Sequence, residues 1–480
     1  MKSIPIARRW RRAPLVLSAL LLSACALGPD FEPPKTATPV WQAPLPHGGQ
    51  VADLQRWWAQ FNDPVLNALI SEAEQSSPTL DQAWAKVQEA RAGAEGSSGA
   101  YLPAAQATAA RTRSQSVFGT QVIQQTVQRA GFDMLWELDL FGKTRRTVES
   151  AQAMYGASGA QWHAARISLA GEVADSYVER RQCEATLALY QQVQQSRQSS
   201  LDWMRRKQQA GLASEVELAR SQASLADSNS ALAGKQGDCA RSLNKLVALT
   251  GLSAAELQQR LAAQRGQVPQ PSSIDVSQVA ANALQQRPDV AAASFNLAAA
   301  SADIGVAKAS LFPSLSLGGS IGRSRVNMGG LNLAATTWSF GPTLNIPLFD
   351  GSRRMSQLGA ARARYDYADA SYRRTVREAV REIEDSLTRL EVANQRLTAA
   401  RDSQKQLQKV FSATQTRQQA GLANGLELED ARRGALQADE AALALQRESV
   451  SAWIAVYKAL GGGWDGHSAP ERVAKNKTNE

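Results

Sequence analysis

Few residues of this chain have the type and spacing to do chemistry. The three histidines, His47, His163 and His467, are far apart in sequence and form no metal pair. Phe141-Gly142-Lys143-Thr144 has the end of a phosphate loop, but position 137, where that motif needs glycine, holds Glu137. It reads as a strand-to-helix turn. No nucleophile elbow is present. What remains is three cysteines, Cys25, Cys183 and Cys239, and one dense charged run, "LELEDARR" at 426–433. This inventory points away from an enzyme and calls for no cofactor and no metal.

Cys25 ends a leader. Lys2, Arg8, Arg9, Arg11 and Arg12 come first, with no acid, and the apolar run Ala13 to Leu22 follows, broken by Ser18. That is the layout of a secretory signal peptide over 1–24. The run is shorter than the ~20 residues that span a bilayer. Leu22-Ser23-Ala24 before Cys25 resembles the bacterial lipobox, which implies a diacylglycerol on the sulfur and a third chain on the freed amine. An ordinary leader with an incidental cysteine is the alternative. Ala26 stands where inner-membrane retention usually has Asp, so the resemblance favours the outer membrane, and two or three chains anchor firmly. An extended segment, 25–58, follows.

The formal charge of +9 falls to +4 once the five basic residues of the leader are gone, so nucleic acid is not an expected partner. No later stretch approaches eighteen uninterrupted apolar residues, so a membrane crossing is expected to use strands. Aromatics make up only 6% of the chain, a composition suited to long, narrow helices.

These elements are written twice. "SPTLDQAWAKVQEARAGAEGSSGAYLPA" (77–104) returns as "RPDVAAASFNLAAASADIGVAKASLFPS" (287–314), and Pro78, Pro103 and Gly211 return at Pro288, Pro313 and Gly421, each 210 positions later. "DLFGKTRR" and "LFDGSRR" align only with a slip of one or two residues. Copy one is expected over 59–260 and copy two over 276–463, with a linker at 261–275 and a polar tail at 464–480. Each copy predicts a half-length helix (about Asn62 to Gly99 in copy one), two strands, a long helix and a second half-length helix. The strands fall at about 101–140 and 312–349, the long helices at 143–209 and 352–418, and the last helices at 214–249 and 424–460. Val376, Val380, Ile383, Leu387 and Leu390 step by 4, 3, 4 and 3, a coiled-coil seam. A 67-residue helix is ~100 Å long. Two half-length helices end to end match it, which predicts a rod with strands at one end and the "QAGLA" turns at the other.

The strands alternate. Trp338, Phe340, Leu344, Ile346 and Leu348 point opposite to Ser339, Thr343 and Asn345; Phe132, Met134, Trp136, Leu138 and Leu140 point opposite to Asp133, Glu137 and Asp139; Leu315, Leu317 and Ile321 point opposite to Ser314, Ser316 and Ser320. A transmembrane barrel strand needs this pattern; a soluble sheet with one wet face shows it too. Four strands cannot close a membrane barrel, which takes at least about eight. Open edges in lipid leave costly unpaired backbone groups. A barrel would therefore be shared between chains.

"CALGPDFEPP" (25–34), "WWAQFNDPVLNALI" (57–70), the paired "QQAGLAS" and "QQAGLAN" turns and the duplication resemble the TolC-type outer membrane efflux factors, in particular the NodT-like lipoprotein branch serving resistance-nodulation-division drug pumps. The resemblance implies a mainly α chain with a small β part, and a homotrimer in which a twelve-stranded barrel continues into a helical periplasmic tunnel. It implies passive conduction, with an inner-membrane pump supplying energy through a periplasmic adaptor. The adaptor would meet Gly211, Leu212, Ala213, Gly421, Leu422 and Ala423 at the hairpin tips. It also implies a periplasmic gate at Asp430 and Arg433, with Leu426 as an apolar constriction. By the 210 offset, Asp430 corresponds to Arg220.

Cys183 and Cys239 lie 28 residues before and after Gly211. Antiparallel arms would bring them to one height, where an oxidising periplasm permits a disulfide; two free buried thiols are the alternative. A duct for protein secretion and a lipid-anchored scaffold that conducts nothing stand as rival functions. Trp136 and Trp338 on an apolar strand face speak against the scaffold.

Overall fold

The computed structural model describes residues 27–34, 57–58, 60–271, 284, 286–328, 330–464 and 466. The leader, Cys25, His47, His467 and most of the expected tail lie outside the described residues. The chain divides into two compact units, residues 1–35, 85–159 and 292–374 in one and residues 36–84, 160–291 and 375–480 in the other.

The duplication is visible in the element register. Copy one contains α1 (Pro64–Ser76), α2 (Pro78–Ser98), β1 (Ala104–Phe118), β2 (Gln121–Leu138), α3 (Lys143–Gln209), α4 (Glu215–Thr250) and the short α5 (Ala254–Leu261). Copy two contains α6 (Pro288–Ala309), β3 (Ser314–Met328), β4 (Leu331–Asn345), α7 (Arg353–Gln419) and α8 (Gly425–Ala459). The long helices α3 and α7 have 67 residues each and start 210 positions apart, although the motif before them slips. Ser352 adopts a left-handed φ of 70° and stays outside α7, which moves that helix one residue past the expected start.

Local chemistry sets the ends. The first half-length helix is two helices, because Pro78 has no N–H and holds Ser77 extended. Asp63 caps α1 by accepting from the N–H groups of Val65 and Leu66. β4 stops at Asn345, before Ile346 and Pro347, since proline cannot donate to the ladder; Ile346 and Leu348 therefore lie beyond the strand. Leu140 likewise lies past β2, in a turn where its N–H reaches the Leu138 carbonyl. Among the described residues one helix, α6, has the length and mean hydropathy of a membrane span by composition alone, although it holds no uninterrupted apolar run of eighteen. Its alanines supply that apolarity between single polar residues.

In the first unit the four strands form an antiparallel meander in the order β1-β2-β3-β4. Ala107, Phe132, Ile321 and Trp338 stand on one rung and so on one face. The N-terminal strap packs here. Leu27 donates its N–H to the Phe141 carbonyl, and Arg146 donates to the carbonyls of Leu27 and Gly28 and pairs with Asp30 at 2.7 Å. Gly28 is at φ 115°, and a Cβ there would meet the Gly305 Cα at 2.7 Å.

In the second unit the core is aromatic and aliphatic. Trp57 stacks on Trp453 at 3.7 Å, with Phe61 and Tyr457 beside them, while Leu66, Leu69, Tyr177, Val178 and Leu246 are fully buried. His163 is buried between the rings of Trp162 and Trp464. The seam on α7 runs through Ala379, Ile383, Leu387, Leu390, Ala393 and Leu397, with Val376 and Val380 only half-buried at its edge.

Candidate functional site: the hairpin tips and the charged stretch beyond the second

Both tips close by one geometry. After α3, the N–H of Gly211 reaches the Gln208 carbonyl at 2.9 Å and that of Leu212 reaches Lys207 at 2.8 Å. After α7, Gly421 reaches Gln418 at 3.1 Å and Leu422 reaches Arg417 at 2.8 Å. These paired bonds satisfy the last helical carbonyls and require a left-handed residue between them. Gly211 and Gly421 supply it at φ 73° and 79°. A Cβ on either would meet nothing within 4 Å, so the backbone angle, not crowding, demands glycine.

The next helices start on side-chain caps. Ser214 and Glu217 form a reciprocal box, and Asn424 accepts from the Glu427 N–H while donating to its carboxylate. The hydrogen bonds from Ser214 hold the Glu217 carboxyl below its ordinary value. Between bond and cap, each tip leaves a leucine in solvent: Leu212 is 73% exposed and Leu422 70%. A leucine at this position commonly packs back on its own helix. Here both are presented outward, with Ala213 and Ala423 beside them.

The charged run occupies the first turns of α8. Leu426 is exposed. Asp430 and Arg433 are also exposed and lie 3.5 Å apart, a loose pair worth little in water. Glu429 is the more firmly held acid. Arg197 of α3 pairs with it at 3.0 Å and Arg432 at 2.6 Å. Sequence reasoning missed this inter-helix bridge because nothing in the spacing marks Arg197.

Cys183 and Cys239 are joined, with Cα atoms 5.6 Å apart, linking α3 to α4. Arg180 donates to the Cys239 carbonyl at 2.6 Å. Next to it is a network that only the fold assembles. Arg181 is fully buried and donates to Tyr177, Glu184 and the carbonyls of Leu261 and Ala263. Tyr177 in turn donates to Asp63 at 2.5 Å, and burial raises its phenol well above the ordinary range. The start of the expected linker at 261–275 is therefore stapled to α3. The Phe141–Thr144 stretch is the strand-to-helix turn, and Asp139 takes the N–H groups of Thr144 and Arg145 that an anion would need.

Residues 69–252 and 279–462 match the family described as outer membrane efflux protein, one match per copy. This chain belongs to the outer membrane efflux protein family. Among relatives of this efflux protein, the outer membrane protein OprJ of Pseudomonas aeruginosa is 30% identical over 464 residues, covering 94% of this chain and 95% of that protein. Nodulation protein T of Rhizobium leguminosarum bv. viciae is 30% identical over 381 residues, covering 79% and 78%. The solved structure of the outer membrane channel OprN superposes with a TM-score of 0.83 at 28% identity, covering 92% of this chain and all of that one. The efflux protein is an outer membrane channel of the tripartite efflux type, and its fold is mainly helical with a small sheet.

Proposed function

We propose that three copies of this efflux protein close one twelve-stranded barrel, and that the duct passively conducts drugs delivered by a resistance-nodulation-division pump through a periplasmic adaptor. One observation carries the reading. The sheet ends in two edge strands, β1 and β4, each paired on one side only, and one of its faces is apolar and bare from the Leu138 rung to the Phe132 rung. Phe132, Ile321, Trp338 and Phe340 stand on that face and are more than half exposed, whereas Thr108, Asp133, Ser320 and Ser339 hydrogen-bond one another in pairs on the other. Apolar toward lipid and small polar toward a lumen is the pattern a barrel wall requires. Setting β1 of one copy on β4 of the next removes both edges. The test is the mass of the purified protein together with its conductance in planar bilayers. A three-chain particle that conducts is expected; a lone subunit or a silent bilayer overturns the reading.

The remaining roles follow from exposure. Leu212 and Leu422, with Gly211, Ala213, Gly421 and Ala423, form the adaptor-contacting tips. Asp430, Arg433 and Leu426 form the periplasmic gate, the weak pairing of Asp430 with Arg433 leaving both charges free to bridge neighbouring copies and Leu426 narrowing the opening. Replacing Asp430 and Arg433 by alanine raises conductance; unchanged conductance removes them from the gate. Cys25 carries the lipid. The strap supports this, since Leu27, two residues on, is bonded beside the end of β2, where an acyl anchor would enter the membrane. Intact mass of the mature protein reads the acyl chains directly.

A further inference from the structure

The apolar face of the sheet changes character partway along the strands. From the Leu138 rung to the Phe132 rung it carries Leu138, Trp136, Met134, Phe132, Ile321, Trp338 and Phe340. The next rung holds Ala109, Ala130, Arg323 and Thr336. Then come Arg111 and Arg325 on one rung, and Arg113 on the one after. All four arginines are exposed, and all four belong to the face that carries Trp338. That face holds no Asp or Glu on any of the four strands, and no described carboxylate pairs with these guanidinium groups. Arg113 donates only to Gln124. Beyond the Ala130 rung the opposite face turns apolar instead, with Val127, Val326 and Leu333.

Geometry gives this change a level. β1 and β3 have 15 residues each, so each is ~50 Å long and rises ~40 Å at the tilt of a barrel strand. The apolar band of an outer membrane is only ~25 Å tall. The hairpin end must therefore emerge from the hydrocarbon, and the arginines sit where the aromatic belt stops. Arg111 and Arg325 are two strands apart, ~10 Å, and successive rungs of one face are ~7 Å apart. Between belt and arginines lies an open groove of about 540 Å³, floored by Ala107, Ala109 and Ala130 and edged by Phe132, Ile321 and Arg323.

We propose that this face binds the phosphorylated glycolipid of the outer leaflet, its phosphates on Arg111, Arg113, Arg323 and Arg325 and an acyl chain in the alanine groove. The guanidinium fork suits phosphate oxygens, and charge without a partner at a headgroup level calls for an anion. A ring of such contacts on three chains would fix the depth of the barrel. The inference rests on the reading that this face meets lipid.

The experiment uses the full-length protein in phosphatidylcholine vesicles containing lipid A, either bisphosphorylated or dephosphorylated, with bound lipid A read by native mass spectrometry. The wild type is expected to retain at least about tenfold more of the phosphorylated form. Arg111→Gln with Arg325→Gln, and the fourfold Gln variant, are expected to lose that preference, while Arg129→Gln on the opposite face keeps it. Equal retention of both forms, a fourfold variant that binds like wild type, or equal loss in Arg129→Gln overturns the proposal. Quenching by brominated lipid, compared between wild type and Trp338→Phe, separates the two readings. If Trp338 is quenched, a failure above falls on the arginines alone; if it is not quenched, the lipid-facing reading fails and the proposal with it.

Discussion

Hairpin one (α3 and α4) and hairpin two (α7 and α8) turn through the same backbone geometry but are held by different chemistry. At the 210 offset, Cys183 and Cys239 become Ala393 and Ser449. Where hairpin one has a covalent bridge, hairpin two has a buried alanine and a serine that donates to Asn394 at 2.6 Å. The buried Arg181 becomes the exposed Glu391, and Arg220 becomes Asp430. Duplication preserved the turn, which depends on φ, while bracing and charge diverged. Glycine takes the left-handed turn at no steric cost, which keeps it in both copies, whereas a brace between arms has several solutions.

The largest expected difference concerns Arg181. Removing it leaves a cavity and takes the donors from the buried Tyr177 hydroxyl and the Leu261 and Ala263 carbonyls, while Glu184 keeps Arg180 at 2.9 Å. Arg181→Ala should therefore lower stability by about 2–4 kcal/mol, whereas Glu391→Ala should change it by less than about 0.5 kcal/mol. Urea unfolding checks both, and equal effects would break the contrast. The disulfide comes next. Cys183→Ala with Cys239→Ser, which writes hairpin two's residues into hairpin one, should cost about 2–4 kcal/mol. The reciprocal Ala393→Cys with Ser449→Cys should form a second bridge, seen as two hydrogens missing from the intact mass. Free thiols at 393 and 449 would mean that the arms are spaced differently. At the tips the copies should agree: Gly211→Ala and Gly421→Ala each force alanine into the left-handed region at about 1–2 kcal/mol, measured as matching falls in the urea midpoint.

The smallest effect is a titration. Tyr190 of α3 is pushed up to about 12, by burial first and then by its hydrogen bond to Glu440. Its counterpart is Ala400, so hairpin two has nothing equivalent. Because the folded state favours the neutral phenol, the stability it adds is complete below the ordinary value of 10 and is lost as pH rises toward 12. Alkaline difference spectra of wild type and Tyr190→Phe should differ in that window. Tyr457, raised to about 12 by burial, stays in both.

Much of the fold is legible in the residues alone because it is written in local rules. Strand alternation, the duplication and the glycines of the tips depend on period and backbone angle, which need no partner to be read. Spacing about Gly211 even brought Cys183 and Cys239 to one height, since an antiparallel hairpin converts sequence distance into position. The Arg181 network and the Arg197–Glu429 bridge were not legible. The contacts that join separate elements span 80 to 232 positions, and a buried arginine looks like a solvated one until packing excludes water. The arginine belt lies between these cases. Its residues are visible in the strands, but which of them share a face with Trp338 depends on pairing register, and a shift of one residue would send a strand's arginines to the other side. The sequence by itself determined the order and type of the main elements, because period, proline and glycine act locally. The tertiary structure alone decided which charges meet, because desolvation and cross-strand register come into being only when distant segments pack.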